Sequence, residues 1–514
     1  MKHSHLLAML AGFAAVPVLA PAATAFVDGV TTTTIEAAYA SLNRADGEAD
    51  VIDIVGDATS AGLYIDSNGA TSDSLTIEGN GNRITFTGEL ANFSAGTGSL
   101  IDVDVAAGQE VRFQNFTMVI DWASSGTIGR TNGILVDEAD GVGPNGAIVE
   151  LNNVQLRMVD SANNLIPLGD NPVGSYGIAF GGGWFSTPAS TAQFNLVDCV
   201  IQTKHVETGG FASGWEFYLD DMAALVDNCS FYTYGPDDGS GGGDSLFFSA
   251  ANGADITVQN TYLTAESQGI NNSSSSGIGT ASTTLLLDTI VVENCGDFGV
   301  ELDEGVVTIV NSSFLNNGQE GLKVVDGTTV VTGITDSVFC NNAFYGIEFN
   351  EIDLSVDPII SGCLFVNNGS DSGHQGQFRI GDTNATTATL TIVNSTFHDA
   401  ATTYAIRINS ALTNADIDGC IFTGDAAEQA VEVTGSGSSA TIDDSAVVLM
   451  AQGDGTFTNI TTVDPSYTNT NCPPDADSFD INDPAYFTAG PGGAQLTGFG
   501  DPNPAKVGSW RMLD

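Results

Sequence analysis

An asparagine or aspartate, followed three residues later by a large apolar residue, returns along this chain at a nearly constant interval. The anchors are Asn115, Asn153, Asp198, Asn228, Asn260, Asp288, Asn311, Asp336, Asn394 and Asp444, with glycine taking the place at Gly362 and Gly419. The interval averages about 30 residues and tightens to about 26 beyond Asp288. A period of that length signifies a solenoid, because a repeat so short cannot bury its own apolar face and must stack on its neighbours.

The chemistry around the anchor says what is stacked. Apolar residues lie two and four places before it, as in Val307 and Ile309 or Leu390 and Ile392, with a polar residue between. That is the period of a strand with one buried face. Three places after it stand Met118, Leu156, Ile201, Phe231, Leu263, Val291, Phe314, Phe339, Phe365, Phe397, Phe422 and Val447. Like residues recurring at one position suit coils that sit about 4.8 Å apart, where each side chain packs on its counterpart. Phe314, Phe339 and Phe365 are therefore expected to form one inward stack. A further strand often opens with glycine, as in Gly299-Val300-Glu301-Leu302, Gly321-Leu322-Lys323-Val324 and Gly346-Ile347-Glu348-Phe349. The turns before them carry Asn316-Asn317-Gly318, Asn341-Asn342 and Asn367-Asn368-Gly369, which suit left-handed backbone. Stacked anchors can also hydrogen-bond along the ladder and satisfy turn amides.

Propellers, leucine-rich repeats and sandwiches do not repeat in this way. The segment Thr34-Ile35-Glu36-Ala37-Ala38-Tyr39, the strand Asp50-Val51-Ile52-Asp53-Ile54 and the stretch Leu75-Thr76-Ile77-Glu78-Gly79-Asn80-Gly81 resemble the entry of the pectate-lyase-like superfamily. The resemblance covers nearly all of the chain beyond the leader. It implies an all-β, right-handed parallel β-helix solenoid of about a dozen coils, plugged by a short N-terminal capping helix. It leaves function open, since lyases, glycosidases, epimerases and adhesins share the architecture.

Lys2, an apolar run from Leu6 to Leu19 and the small residues Ala23-Thr24-Ala25 read as a signal peptide over 1–25. The β-helix then spans 26–463. The proline-rich stretch 464–514 reads as an irregular C-terminal cap or tail. The expected location is secreted, extracellular or at the cell surface, with the periplasm as an alternative. No segment is long and apolar enough for a transmembrane span in the mature chain. With 12 Lys and Arg against 63 Asp and Glu, the net charge is −51. That balance excludes nucleic acid as a partner and disfavours densely anionic polymers.

Cys199 and Cys229 follow consecutive anchors, a place that Ser312, Ser337, Ser395 and Thr261 fill elsewhere. They read as small stacked residues, with a disulfide between them as the alternative. Aromatic and basic residues gather where the coils are longest: Trp122, Arg157, Trp184, Lys204, His205, Trp215, Tyr218, Tyr232 and Tyr234, beside Asp220 and Asp221. Exposed rings flanked by a few charges would suit stacking on a sugar chain. The alternative is that long loops pack their own aromatics against the flank. For metal, Asp237, Asp238 and Asp244, and separately Asp475, Asp477, Asp480 and Asp483, offer oxygen ligands suited to Ca²⁺, against the alternative of solvated acidic loops.

The resemblance supplies two catalytic templates. Polyuronate lyases need calcium and an arginine or lysine base, while the glycosidases need grouped carboxylates near Gly-His-Gly and Arg-Ile-Lys. Gly373-His374-Gln375 and Phe378-Arg379-Ile380 echo the second only in fragments. The leading expectation is a non-catalytic β-helix that binds a polysaccharide or cell-surface glycan as an adhesive protein or structural rod. The alternatives are an enzyme, lyase or glycoside hydrolase, acting on a neutral or weakly charged glycan, and a self-associating subunit of an extracellular matrix or filament.

Overall fold

The computed structural model describes residues 23–27, 34–42, 49–65, 74–87, 90–91, 98–105, 107–120, 130–138, 146–160, 162–170, 178–185, 192–204, 212–220, 222–235, 243–251, 253–272, 283–326, 328–350, 356–370, 376–381, 389–398, 404–409, 414–425 and 427–462. Left-handed residues shape each coil. Asn115, Asn153, Asp198, Asn228, Asn260, Asn311, Asp336, Asn394 and Asp444 all have φ between 43° and 58°, and Gly362 and Gly419 match them. Each turns the chain from one strand into the next, so a first face, a second face and a third face close round a filled interior. Successive coils pair in parallel, and the chain is a right-handed parallel β-helix. The first two faces belong to one 28-stranded sheet, because the strands Glu110–Ile120 and Ile148–Leu156 run unbroken round the corner. The third face forms a 15-stranded sheet.

The helix Ile35–Ser41 matches the expected plug. Thr34 caps it by accepting from Ala37 N, and Ile35 and Ala38 are buried against the interior. The Glu36 carboxylate accepts from Ser60 Oγ at 2.5 Å and from Ala61 N at 2.9 Å, which fastens the plug to an early coil.

The phenylalanine column is present and longer than expected. Phe314, Phe339, Phe365, Phe397 and Phe422 stack with centroid separations of 4.7–5.0 Å and interplanar angles of 5–11°. At the neighbouring corner runs a buried amide ladder. Asn317 Nδ2 donates to Asn342 Oδ1 at 2.8 Å, Asn342 Nδ2 to Asn368 Oδ1 at 2.8 Å, and Asn368 Nδ2 to Gln377 Oε1 at 2.5 Å. The residues just before them, Asn316, Asn341 and Asn367, take the left-handed conformation. Gly346 is required here, because a Cβ would meet Gln377 O and Phe339 Cβ, both at 2.9 Å.

One coil departs from the expected register. Thr289, not Asp288, holds the left-handed position, at φ 56°. The inward residue is consequently Val292, which pairs with Phe314, while Val291 faces outward. A β-branched residue is strained in that conformation, and its Oγ1 bonds the Asp288 carboxylate at 2.8 Å.

Candidate functional site

Strand alternation on the third face sends one residue of each triplet inward and the next outward. Val300, Leu302, Leu322, Val324, Ile347, Phe349, Phe378, Ile380 and Ile406 fill the interior. The residues between them form one outward register row: Asn271, Glu301, Lys323, Glu348, Arg379, Arg407 and Glu432. Three of the chain's 12 basic residues thus share one line on a molecule of net charge −51, so this is where a cation-dependent ligand can approach.

Both arginines in the row are held twice. Arg379 Nη1 pairs with Glu348 Oε1, and its guanidinium lies 5.7 Å from the Tyr345 ring centre. Arg407 Nε lies 2.8 Å from Glu432 Oε2, Nη1 donates to Tyr404 Oη at 2.8 Å, and the group sits 5.0 Å from the Tyr404 ring. Lys323 Nζ is 4.2 Å from the Phe298 ring centre. Arg379 and Arg407 occupy adjacent rungs, and Glu348 and Glu432 on the outer sides offset their repulsion. The arginine side chains keep 24% and 31% of their surface and Glu432 keeps 28%, whereas Glu348 keeps 5%, so the face presents Arg379 with its partner hidden and Arg407 together with its partner.

Beneath Glu348 lies Glu320, which is 1% exposed. Burial first, then hydrogen bonding to and repulsion by Glu348, push the Glu320 pKa up to about 8, with Lys323 pulling the other way. Burial likewise dominates at Tyr345, which is raised above the ordinary tyrosine range with Tyr404 beside it. At the lower end of the row Gln268 Nε2 donates to Glu301 Oε2 at 2.6 Å.

The aromatic cluster read from the sequence is divided by the wall. Trp215 is fully buried inside the coil, its ring 5.2 Å from Phe194 and 6.3 Å from Phe217, and it cannot stack on a sugar. The reason is alternation: Gly214-Trp215-Glu216-Phe217 repeats the Gly299-Val300-Glu301-Leu302 pattern, so the tryptophan stands in an inward column. Arg157, Lys204, Tyr232 and Tyr234 do meet, on the outer side of the second face, but 162–170 lies over them. Arg157 Nη2 donates to Ile166 O at 2.8 Å, and Gln202 Nε2 donates to Pro167 O at 3.2 Å. Lys204 is 1% exposed. Burial pushes Tyr234 up to about 12 and lowers Arg157. These residues are mostly a loop packed on the flank.

Trp184, Tyr218 and Asp220 lie on the strands Ile178–Phe185 and Ala212–Asp220, where Trp184 is in register with Val136 and Phe217. Trp122, His205 and Asp221 are outside the described residues, as are Asp237, Asp238, Asp475, Asp477, Asp480 and Asp483. Asp244 is hydrogen-bonded within the wall. Its buried carboxylate accepts from Asn271 Nδ2 at 3.0 Å and Gln268 N at 3.2 Å, burial raises its pKa to about 6, and no metal-holding group of three occurs among the described residues. Cys199 and Cys229 are free buried thiols rather than a disulfide. Each contacts backbone carbonyls of its own corner, Val197 O at 3.2 Å and Asp227 O at 3.3 Å.

No helix among the described residues is long and apolar enough to cross a membrane. No family model matches the chain, and no curated protein matches it. Among solved structures, the A-module of mannuronan C-5 epimerase AlgE6 from Azotobacter vinelandii is 12% identical, with 86% of this chain and 98% of that one covered and a TM-score of 0.38. Tailspike protein 3 of bacteriophage CBA120 is 9% identical over 85% of this chain and 61% of that one, with a TM-score of 0.35. A family 28 exopolygalacturonase from Yersinia enterocolitica is 11% identical over 82% and 78%, with a TM-score of 0.32.

Proposed function

We propose that this chain is an exported β-helix that binds a neutral or sparsely acidic polysaccharide along the outer third face, between Glu301 and Glu432. One observation carries the reading: cations and carboxylates stand in a single register row, with Tyr345 and Tyr404 against its arginines, and the arginines keep part of their surface exposed there. Rungs about 4.8 Å apart on a straight wall give a linear polymer repeated polar contacts. Arginine donors can bond sugar hydroxyls and an occasional carboxylate. The acidic remainder of the surface disfavours a densely charged polyuronate.

A second reading, that the same row acts on its glycan, is favoured by the Glu320–Glu348 pair. The Glu320 carboxyl, raised to about 8 by burial and by Glu348, which itself pairs with Arg379, is a proton source next to the row. A panel of neutral and acidic polysaccharides tests both readings, with binding followed by calorimetry and turnover by new reducing ends or unsaturated uronates. Binding without new ends supports the first and chemical change supports the second. Neither binding nor change across the panel removes both.

A further inference from the structure

Two buried groups of opposite kind are left over beside Glu348. Glu320 is 1% exposed, and its Oε2 meets no donor among the described residues. Arg379 Nε is also buried and meets no acceptor among them. Glu348 links the two, because it hydrogen-bonds to Glu320 while its Oε1 pairs with Arg379 Nη1. A buried carboxylate oxygen without a donor is costly, so Oε2 is the oxygen that carries the Glu320 proton.

The charged and titratable neighbours on the packed coils are engaged elsewhere. On the same coil, Lys323 Nζ lies 4.2 Å from the Phe298 ring centre and lowers the Glu320 pKa only in part. On the coil below, Asp297 accepts from Ser267 Oγ and Gln319 Nε2, and Glu301 accepts from Gln268 Nε2. On the coil above, burial holds Tyr345 above the ordinary tyrosine range, and Tyr345 hydrogen-bonds to Tyr404.

We propose that Glu320 is a proton switch that sets how far Arg379 is available at the outer third face. Protonated, Glu320 donates to Glu348, which stays on Arg379 Nη1 and leaves the guanidinium facing outward. Once the proton has gone to water, Oε2 is an acceptor without a donor, and Arg379 Nε, beside the same Glu348, is a donor without an acceptor. The guanidinium then turns its Nε toward Glu320 and withdraws from the surface. Burial and then Glu348 place this change at about 8, so the row holds its ligand at neutral pH and releases it in alkali. The regulatory role rests on the third face being the glycan site.

The test follows Arg379 directly in the full chain. Phenylglyoxal labelling with peptide mapping gives the reaction rate at Arg379 relative to Arg407, a ratio from which the reagent's own pH dependence cancels. Between about pH 6.5 and about pH 9.5 that ratio should fall about fivefold or more, and Glu320→Gln, whose amide donates to Glu348 at every pH, should hold it constant. The polysaccharide that binds best should lose affinity by a similar factor in the parent and not in the variant. A constant ratio in the parent, or a fall of equal size in Glu320→Gln, would overturn the proposal, and the parent's ratio alone decides should the variant not fold. A falling ratio with no polysaccharide bound at any pH would overturn the glycan reading and the regulatory role, while leaving the switch at Arg379 in place.

Discussion

The coils from Thr289 onward and the longer coils between Ala147 and Ala265 share one wall and fill it differently. In the later coils the step is short, and like residues stack over several rungs: phenylalanine on phenylalanine, asparagine on asparagine. In the earlier coils the step from Asn153 to Asp198 takes 45 residues. Their interior mixes Phe194, Trp215, Phe217 and Phe248 in tilted, edge-on and stacked pairs. Regular spacing lets like residues form columns, and the outward column then becomes a continuous row of charge. Long insertions keep the strand register but spend their polar and aromatic residues on packing the loop to the flank.

Removing an interior ring should have the largest effect in both regions. Phe339→Ala and Trp215→Ala should each lose about 3–5 kcal/mol in denaturant titration. A Trp215→Ala variant of unchanged stability would break the comparison, because it would return that ring to the surface. Next comes Asn342, whose amide bonds Asn368 Oδ1, Phe314 O, Asn317 Nδ2 and Asn317 N. Asn342→Ala strands buried partners on two coils and should lose about 1–3 kcal/mol.

A smaller effect follows from the buried acids, two in the later coils and one in the earlier. Glu320 is raised to about 8, Glu304 to about 7 by burial and then Asp303 and Asp326, and Asp244 to about 6 by burial. The folded chain holds these protons more tightly than the unfolded chain does. The stability they contribute is therefore complete below about pH 4.5 and is lost as pH rises through 6 to 8. The melting temperature should fall from pH 5 to pH 9, and Glu320→Gln should flatten that fall. A variant whose melting temperature still falls as steeply would show that the Glu320–Glu348 pair is not the main source. The smallest effect is a gain: Thr289→Asn, by relieving the left-handed threonine, should add about 1 kcal/mol, and an unchanged or lower value would argue against strain there.

The fold was legible because its signals are local and repeated. The anchors, the helix after Thr34 and the phenylalanine column could be read directly, and the single slip, at Asp288, arose where a threonine replaced the usual asparagine at the turn. The site was less legible. Aromatic density around Trp215 pointed to a surface, whereas alternation from Gly214 sends that ring inside. The charge row was written in Glu301, Lys323 and Glu348, in strands whose apolar alternation was plain. Arg379 and Arg407 complete it only when coils of unequal length are brought into register. Loop insertions hide that alignment from a reading along the chain.

The most direct test sets the two regions side by side in one binding experiment. The polysaccharide that binds best to the full chain is titrated into the Arg407→Ala and Arg157→Ala variants, each first shown to be folded. Loss of an exposed arginine contact should weaken binding about tenfold for Arg407→Ala, roughly 1.4 kcal/mol, and leave Arg157→Ala close to the parent. An Arg407→Ala variant that binds as tightly as the parent, while Arg157→Ala fails to bind, would contradict the account and move the glycan to the flank of the earlier coils.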